Sequence, residues 1–338
     1  MSGGARPARG AAGVLLAAAL LVVVLAAALA FGTEPISLGR ALFEPDSFDH
    51  TALFDVRLPR VALGAVSGAG LAVVGVALQS ILRNPLAEPF MLGVSGGSAV
   101  GATLAIIAGV PAATVLGLSL LPLVPLCALA GGVVATALVH AFARASGTSS
   151  STNLLLAGVV VNAIAGSVIT LLKTLVSASK AQELLFWLMG FLEVPSPWML
   201  GSVTVYVGLG VGVLLADAGR LNLLALGEEP AMHLGVDVRR LERRTMLACA
   251  LVVGAITSAT GLIGFVGLIV PHGLRRVLGP DARGLLPASI FGGAAVLVAC
   301  DLLSRVSFRF LHVEPPVGAV TALVGGPLFL AVLRRRRD

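Results

Sequence analysis

Charge is the scarcest property of this chain. Its 338 residues include 23 basic and 17 acidic side chains, a charged share of 12%. Soluble domains carry about a quarter, so an ordinary globular fold is excluded. Lysine is nearly missing: only Lys173 and Lys180 occur, and no Gly-Lys-Ser/Thr phosphate-binding loop exists. The chain therefore carries no ATPase site of that kind. Cysteine is rare and odd in number (Cys127, Cys249, Cys300), each inside an apolar run, which argues against a disulfide framework. Short alternating segments of the kind that build a membrane β-barrel are also lacking.

What the chain has is hydrocarbon. Apolar residues make up 57% of it, and mean hydropathy is +1.00. A helix needs about 20 apolar residues to cross a hydrocarbon core of about 30 Å. Such stretches recur at 11–31, 61–82, 91–110, 116–142, 154–172, 199–216, 245–259, 261–278, 285–303 and 317–333. The expectation is an all-α polytopic membrane protein, a single transmembrane domain over 1–338 with about ten spans. The first stretch is longer than the core of a cleaved signal peptide, its rival reading. Span two is crowded with Gly64, Ser67, Gly68, Gly70 and Gly75, small residues that let membrane helices approach closely. Residues 83–89 form a hard turn, because Pro85 and Pro89 cannot continue a helix. The apolar patch 184–192 is too short to span.

Ten spans put both termini on one side. That side, with the even-to-odd loops, collects 16 of the 23 basic residues, which predicts both termini in the cytoplasm: 1–10 at one end, 334–338 at the other. The same bias places the island 221–244 there. Eight charges crowd into it between two long apolar spans. Its pattern predicts a short helix over 220–226 broken at Gly227. A second helix opens on Glu228, Glu229 and Pro230 and ends in a left-handed cap at Gly235. Two short helices outside the membrane make a surface for another protein to grip, although a plain solvated loop would also fit the pattern.

No catalytic or metal-ligating constellation stands out. His140, His233 and His272 lack partners at metal-ligand spacing, and a structural role is expected for each. Asp217 and Asp301 fall near predicted span ends, and spans two, three and ten carry no charge, so a deep proton relay is not evident. Energy would have to enter from another chain, and the island is the natural place. Spans three, five and ten do offer Ser95, Ser98, Thr103, Asn162, Ser167, Thr170 and Thr321 among small apolar residues. These could line a weakly polar passage, or simply bond to backbone and neighbouring helices.

Eight ordered motifs from Arg57 to Arg337 resemble the FecCD family of ABC importer permeases. They are RLPR (57–60), NPLAEP (84–89) with LGVSGG (92–97), LLLAGV (154–159), WLMG (187–190), LALGEEPAMHLGV (224–236), GLIGFVGLIVPHGLRR (261–276), LLPAS (285–289) and PPVGAVTALVGGPLFL (315–330). The resemblance implies a vitamin B12 permease-like (type II ABC importer) fold in a bacterial inner membrane. It implies a permease homodimer with two ATPase subunits that hold ATP and magnesium, and no cofactor in this chain. A periplasmic or lipid-anchored binding protein would deliver a metal chelate: an iron-siderophore first, then vitamin B12 or haem. Nucleic acid is not among the implied partners, and this chain is not expected to be an enzyme. By resemblance, Leu226, Gly227, Glu228, Glu229, Pro230, Ala231, Met232, His233, Leu234, Gly235 and Val236 would seat in the ATPase, and Arg57, Arg60 and Arg305 would meet acids of the binding protein. The family's inverted repeat, spans two to five against seven to ten, leaves little identity here. Readings from other classes are an ATPase-independent secondary transporter or channel, and a scaffold or assembly protein.

Overall fold

The computed structural model describes residues 6–108, 123–145, 151–194 and 196–334, all of it helix, turn and loop. The helices in chain order are α1 (Arg6–Ala30), α2 (Leu38–Phe43), α3 (Phe48–Thr51), α4 (Leu58–Ile81), α5 (Val94–Ala108), α6 (Leu123–Ala145), α7 (Ser151–Thr174) and α8 (Ala178–Met189). Then come α9 (Pro197–Ala216), α10 (Ala218–Leu224), α11 (Glu228–His233), α12 (Val238–Thr260), α13 (Val266–Leu278), α14 (Ala282–Leu311) and α15 (Val317–Arg334). A π-helical turn at Ala52–Arg57 leads into α4, and a 3₁₀ turn at Pro89–Leu92 precedes α5. Parts of the predicted N-terminus, of spans three and four, of the loop 144–153 and of the tail lie outside the described residues.

The ten predicted spans correspond to α1, α4, α5, α6, α7, α9, α12, α13, α14 and α15. Six helical stretches are long and apolar enough to cross a bilayer unaided: 12–30, 48–81, 124–142, 153–174, 197–216 and 282–311. The other four have reasons to fall short. α5 and α15 are shorter apolar helices. α12 begins among the island's charges, and α13, with 13 residues, reaches only about 20 Å. Span eight is thus a partial crossing, continued by the non-helical segment 261–265 that joins it to α12. The patch 184–192 forms α8, a short helix as expected.

α4 sits at the centre and is buried along most of its length against α14, α13, α9 and α12. Its glycines explain the fit. A Cβ on Gly68 would strike the Gly293 carbonyl of α14, and one on Gly75 would strike the Gly267 carbonyl of α13. Gly97 and Gly101 of α5 meet the backbone of α6 in the same way. Lipid tails are as apolar as leucine, so helices in a bilayer gain little by hiding hydrocarbon; they gain by close backbone packing. α1 packs on α14, and the described part of its C-terminus is clasped by arginine, as set out below.

Candidate functional site: the coupling helices and the broken span

The island folds into a braced platform. Asp217, fully buried, receives Arg220 at 2.6 Å and Arg244 at 3.4 Å, tying α9 and α10 to α12. Asn222 donates to Asp281 at 2.6 Å and accepts from the Ala282 N–H at 2.7 Å, pinning α10 to the start of α14. Leu221, Leu224 and Ala231 face the core. Gly227 has φ +125° and breaks the two helices, as the sequence predicts. Gly235 has φ +83°; its N–H donates to Met232 O at 2.9 Å and the Val236 N–H to Ala231 O at 3.0 Å. That pair of bonds is a Schellman cap, with buried Val236 and Ala231 as its apolar contact. Glu228 pairs with Arg83 from the turn after α4 at 2.6 Å. Outside all this bracing stand Leu226, Met232 and Leu234, exposed by 66, 54 and 59%. Apolar side chains held in water on a rigid base are the usual core of a protein interface.

Four of the sequence motifs meet at the break between α12 and α13. On one side is a junction of three glycines. Gly261 (φ +68°) leaves no room for a Cβ against the Trp187 carbonyl, and Gly190 (φ +78°) none against the Leu262 carbonyl. Gly318, in the first turn of α15, is equally tight against the Met189 carbonyl. Phe191 N–H donates to Thr260 O at 2.9 Å, and Gly318 N–H to Gly190 O at 3.3 Å, so backbone pairs with backbone where no helix continues. On the other side, Glu88 of the NPLAEP turn accepts the Phe265 N–H at 2.6 Å. Phe265 has φ +69°, a strained value for an aromatic residue, and it opens α13. Gln79 reaches Ala87 O at 3.5 Å and Gly267 O at 3.4 Å beside it. The break is therefore braced from both sides, as irregular backbone at membrane depth needs to be.

The FecCD transport family profile matches residues 19–335. The chain belongs to the FecCD transport family. It is 44% identical over 282 residues to the cobalamin import system permease protein of Halobacterium salinarum, covering 83% of this chain and 73% of that protein. It is 38% identical over 290 residues to the hemin transport system permease protein of Yersinia pestis, covering 84 and 83%. Against the vitamin B12 import system permease protein of Vibrio vulnificus the identity is 37%, with 93% of both chains covered. Among solved structures, an inward-facing metal-chelate type ABC transporter described as putative superposes with a TM-score of 0.82 at 31% identity, covering 96% of this chain and 99% of that one.

Within this FecCD fold the three outer arginines are all engaged by groups of the chain itself. Arg57 is 6% exposed and donates to Leu29 O and Ala30 O at 2.9 and 3.0 Å, and also to Glu34 O. Arg305 is 3% exposed; it donates to Ala28 O at 3.0 Å and pairs with Asp301 at 2.9 Å. Both cap the C-terminal carbonyls of α1, where the helix dipole favours a cation. Arg60 is spent on Asp301 at 2.8 Å and on Glu314. Arg57 and Arg305 thus act as structural clasps, while Arg60, half-buried, sits in an ion cluster with Asp301 and Glu314. Asp301 likewise lies inside α14 rather than at a span end.

The expected passage lining divides in the same way. Ser95, Ser98 and Thr103 are buried between α5 and its neighbours, and Thr321 is 3% exposed with its hydroxyl on Gly318 O at 2.9 Å. Asn162 bridges Phe90 O at 2.6 Å and the Gly96 N–H at 3.2 Å, a helix-to-turn brace. The first four are covered within the chain, and Asn162 is half-buried. Ser167 and Thr170 are exposed on α7, though each hydroxyl bonds back to its own helix, at Ala163 O and Gly166 O. The residues that sequence reasoning missed are Glu88 and the glycines of the break. A visible signal existed: only Thr260 separates predicted spans seven and eight, too little for two full helices to turn.

Proposed function

We propose that this chain is the permease subunit of an ATP-driven importer of a metal chelate, working as a pair of identical copies in a bacterial inner membrane. Two separate ATPase subunits, carrying ATP and magnesium, seat against Leu226–Val236. A binding protein delivers an iron-siderophore, cobalamin or haem to the opposite face. The observation that carries this reading is the platform itself, three exposed apolar side chains on a base braced to α4, α12 and α14. The relatives, named as permeases for cobalamin and hemin, support it. The basic bias puts the platform and both termini in the cytoplasm. With Arg57 and Arg305 buried, the binding protein would meet exposed groups of the outer face, Arg309 and Phe310 among them. Reporter fusions test the orientation: sites within 275–284 should read cytoplasmic and sites within 33–55 external. Co-expression with the partner ATPase should give a complex of two copies of each chain by native mass spectrometry. A cytoplasmic 33–55 segment, or a permease that never retains an ATPase, would overturn the reading.

A further inference from the structure

Beside the break between α12 and α13 lies a hollow of about 460 Å³ that opens toward the outer face. Phe186, Trp187 and Phe191 form one wall, Glu193 and Glu314 the rim, and Thr260 the floor at the end of α12. The rings of Phe186 and Phe191 lie 6.0 Å apart and tilted, while Phe186 is 51% exposed, so the aromatic wall is reachable. The two rim carboxylates differ. Glu314 is engaged by Arg60, whereas Glu193 is exposed and pairs with no cation among the described residues. Non-helical backbone inside a membrane marks either a protein-braced joint or the edge of a wet cavity, and transporters place their cargo at such interrupted helices. Here the glycine junction fixes the backbone that carries Trp187 and Phe191, so the wall is held rather than loose.

We propose that this hollow is a resting site for cargo on its way inward. It takes one face of a metal macrocycle or chelate against Trp187, Phe186 and Phe191, and it favours cargo rimmed by amides or cations over cargo rimmed by carboxylates. The proposal rests on the importer reading and narrows its substrate class. Flat, weakly polar rings stack on aromatic walls without a coordination bond to break. Amide N–H groups can donate to Glu193, while a carboxylate rim would meet like charge in a partly enclosed site, where repulsion is less screened than in bulk water. An amide-decorated corrinoid fits. Haem, with two propionates, and ferric catecholates, with net negative charge, fit poorly. A corrinoid is larger than the hollow, so the site holds an edge and a face and lets go.

The chain carries two tryptophans, Trp187 and Trp198. In a Trp198→Phe background Trp187 is the sole reporter, and the full permease chain in lipid nanodiscs can be titrated with cyanocobalamin. The comparison probe is cyanocobalamin whose peripheral amides have been hydrolysed to carboxylates, so ring and metal stay constant. Saturable quenching by the amide form is expected, with a midpoint about five- to tenfold lower than for the carboxylate form. Glu193→Gln should narrow that gap and Glu193→Lys should reverse it. Phe186→Ala should weaken both probes together. Quenching that does not saturate, or a probe preference unchanged in Glu193→Gln and Glu193→Lys, would overturn the proposal. Loss of ATP-driven uptake of every chelate by the assembled complex would instead defeat the importer reading, and that is read separately in vesicles.

Discussion

Substituting Gly235 separates backbone geometry from contact, because nothing lies within 4 Å of where its Cβ would stand. Any cost at this position is therefore conformational. With φ +83°, an L-residue is asked into the left-handed region, at roughly 1–2 kcal/mol. A β-branched residue falls at the upper end, alanine lower, and asparagine lowest, since its side chain tolerates that region. The chain could escape the strain by opening the cap, which would give up the bonds from Gly235 and Val236 to Met232 O and Ala231 O. In the free chain water can replace these two bonds, so opening the cap there costs less than the strain it relieves. The unbound loop can relax but docking must restore it, so the loss falls on ATPase affinity. Gly235→Val should weaken binding about 30-fold, Gly235→Ala about fivefold, and Gly235→Asn less than that. The assay is the dissociation constant of the ATPase for permease nanodiscs, with thermal unfolding alongside; the melting temperature should hardly move. Binding by Gly235→Val within twofold of wild type would refute the reasoning. So would Gly235→Asn failing as badly as valine, since that would implicate a contact rather than a conformation.

Two further outcomes follow from the buried charges. Asp301 is 1% exposed and serves Arg60 and Arg305 at once, so Asp301→Ala leaves Arg305 with carbonyl partners only and Arg60 with Glu314 alone; a loss of about 3 kcal/mol is expected in detergent unfolding, and Asp301→Asn should lose less. Glu88 accepts the Phe265 N–H at 2.6 Å, so Glu88→Gln, which keeps an oxygen for it, should cost less stability than Glu88→Ala by about 1–2 kcal/mol in the same assay. Equal losses in the two variants would contradict it.

Hydropathy and punctuation made much of this fold legible. The apolar stretches became helices with ends shifted by a few residues, and α8 was rightly too short to span. Gly227 and Gly235 could be placed because a helix terminus needs positive φ, a local demand that leaves a local mark. The outer arginines could not be read, because the carbonyls that receive Arg305 belong to α1, 277 residues away in the chain. A cation at a span boundary looks the same whether it faces headgroups or caps a distant helix. The burial of the α5 hydroxyls was illegible for a related reason: small polar residues on a helix that is apolar nearly all round carry no sign of which face is covered. The break at 261–265 lay at the head of an apolar run that passed for a full span. Its meaning rests on Trp187, Gly190, Glu88 and Gly318, which come together only in the folded chain.

The central claim is that this chain moves a chelate inward on energy delivered by another chain through Leu226–Val236. The most direct measurement is uptake into vesicles holding the permease and its ATPase, with binding protein and radiolabelled chelate outside and ATP inside. Uptake should require ATP and the binding protein, and should fall in Gly235→Val in proportion to the lost ATPase affinity. Uptake by the permease alone, undiminished without ATPase and driven by an ion gradient, would contradict the account.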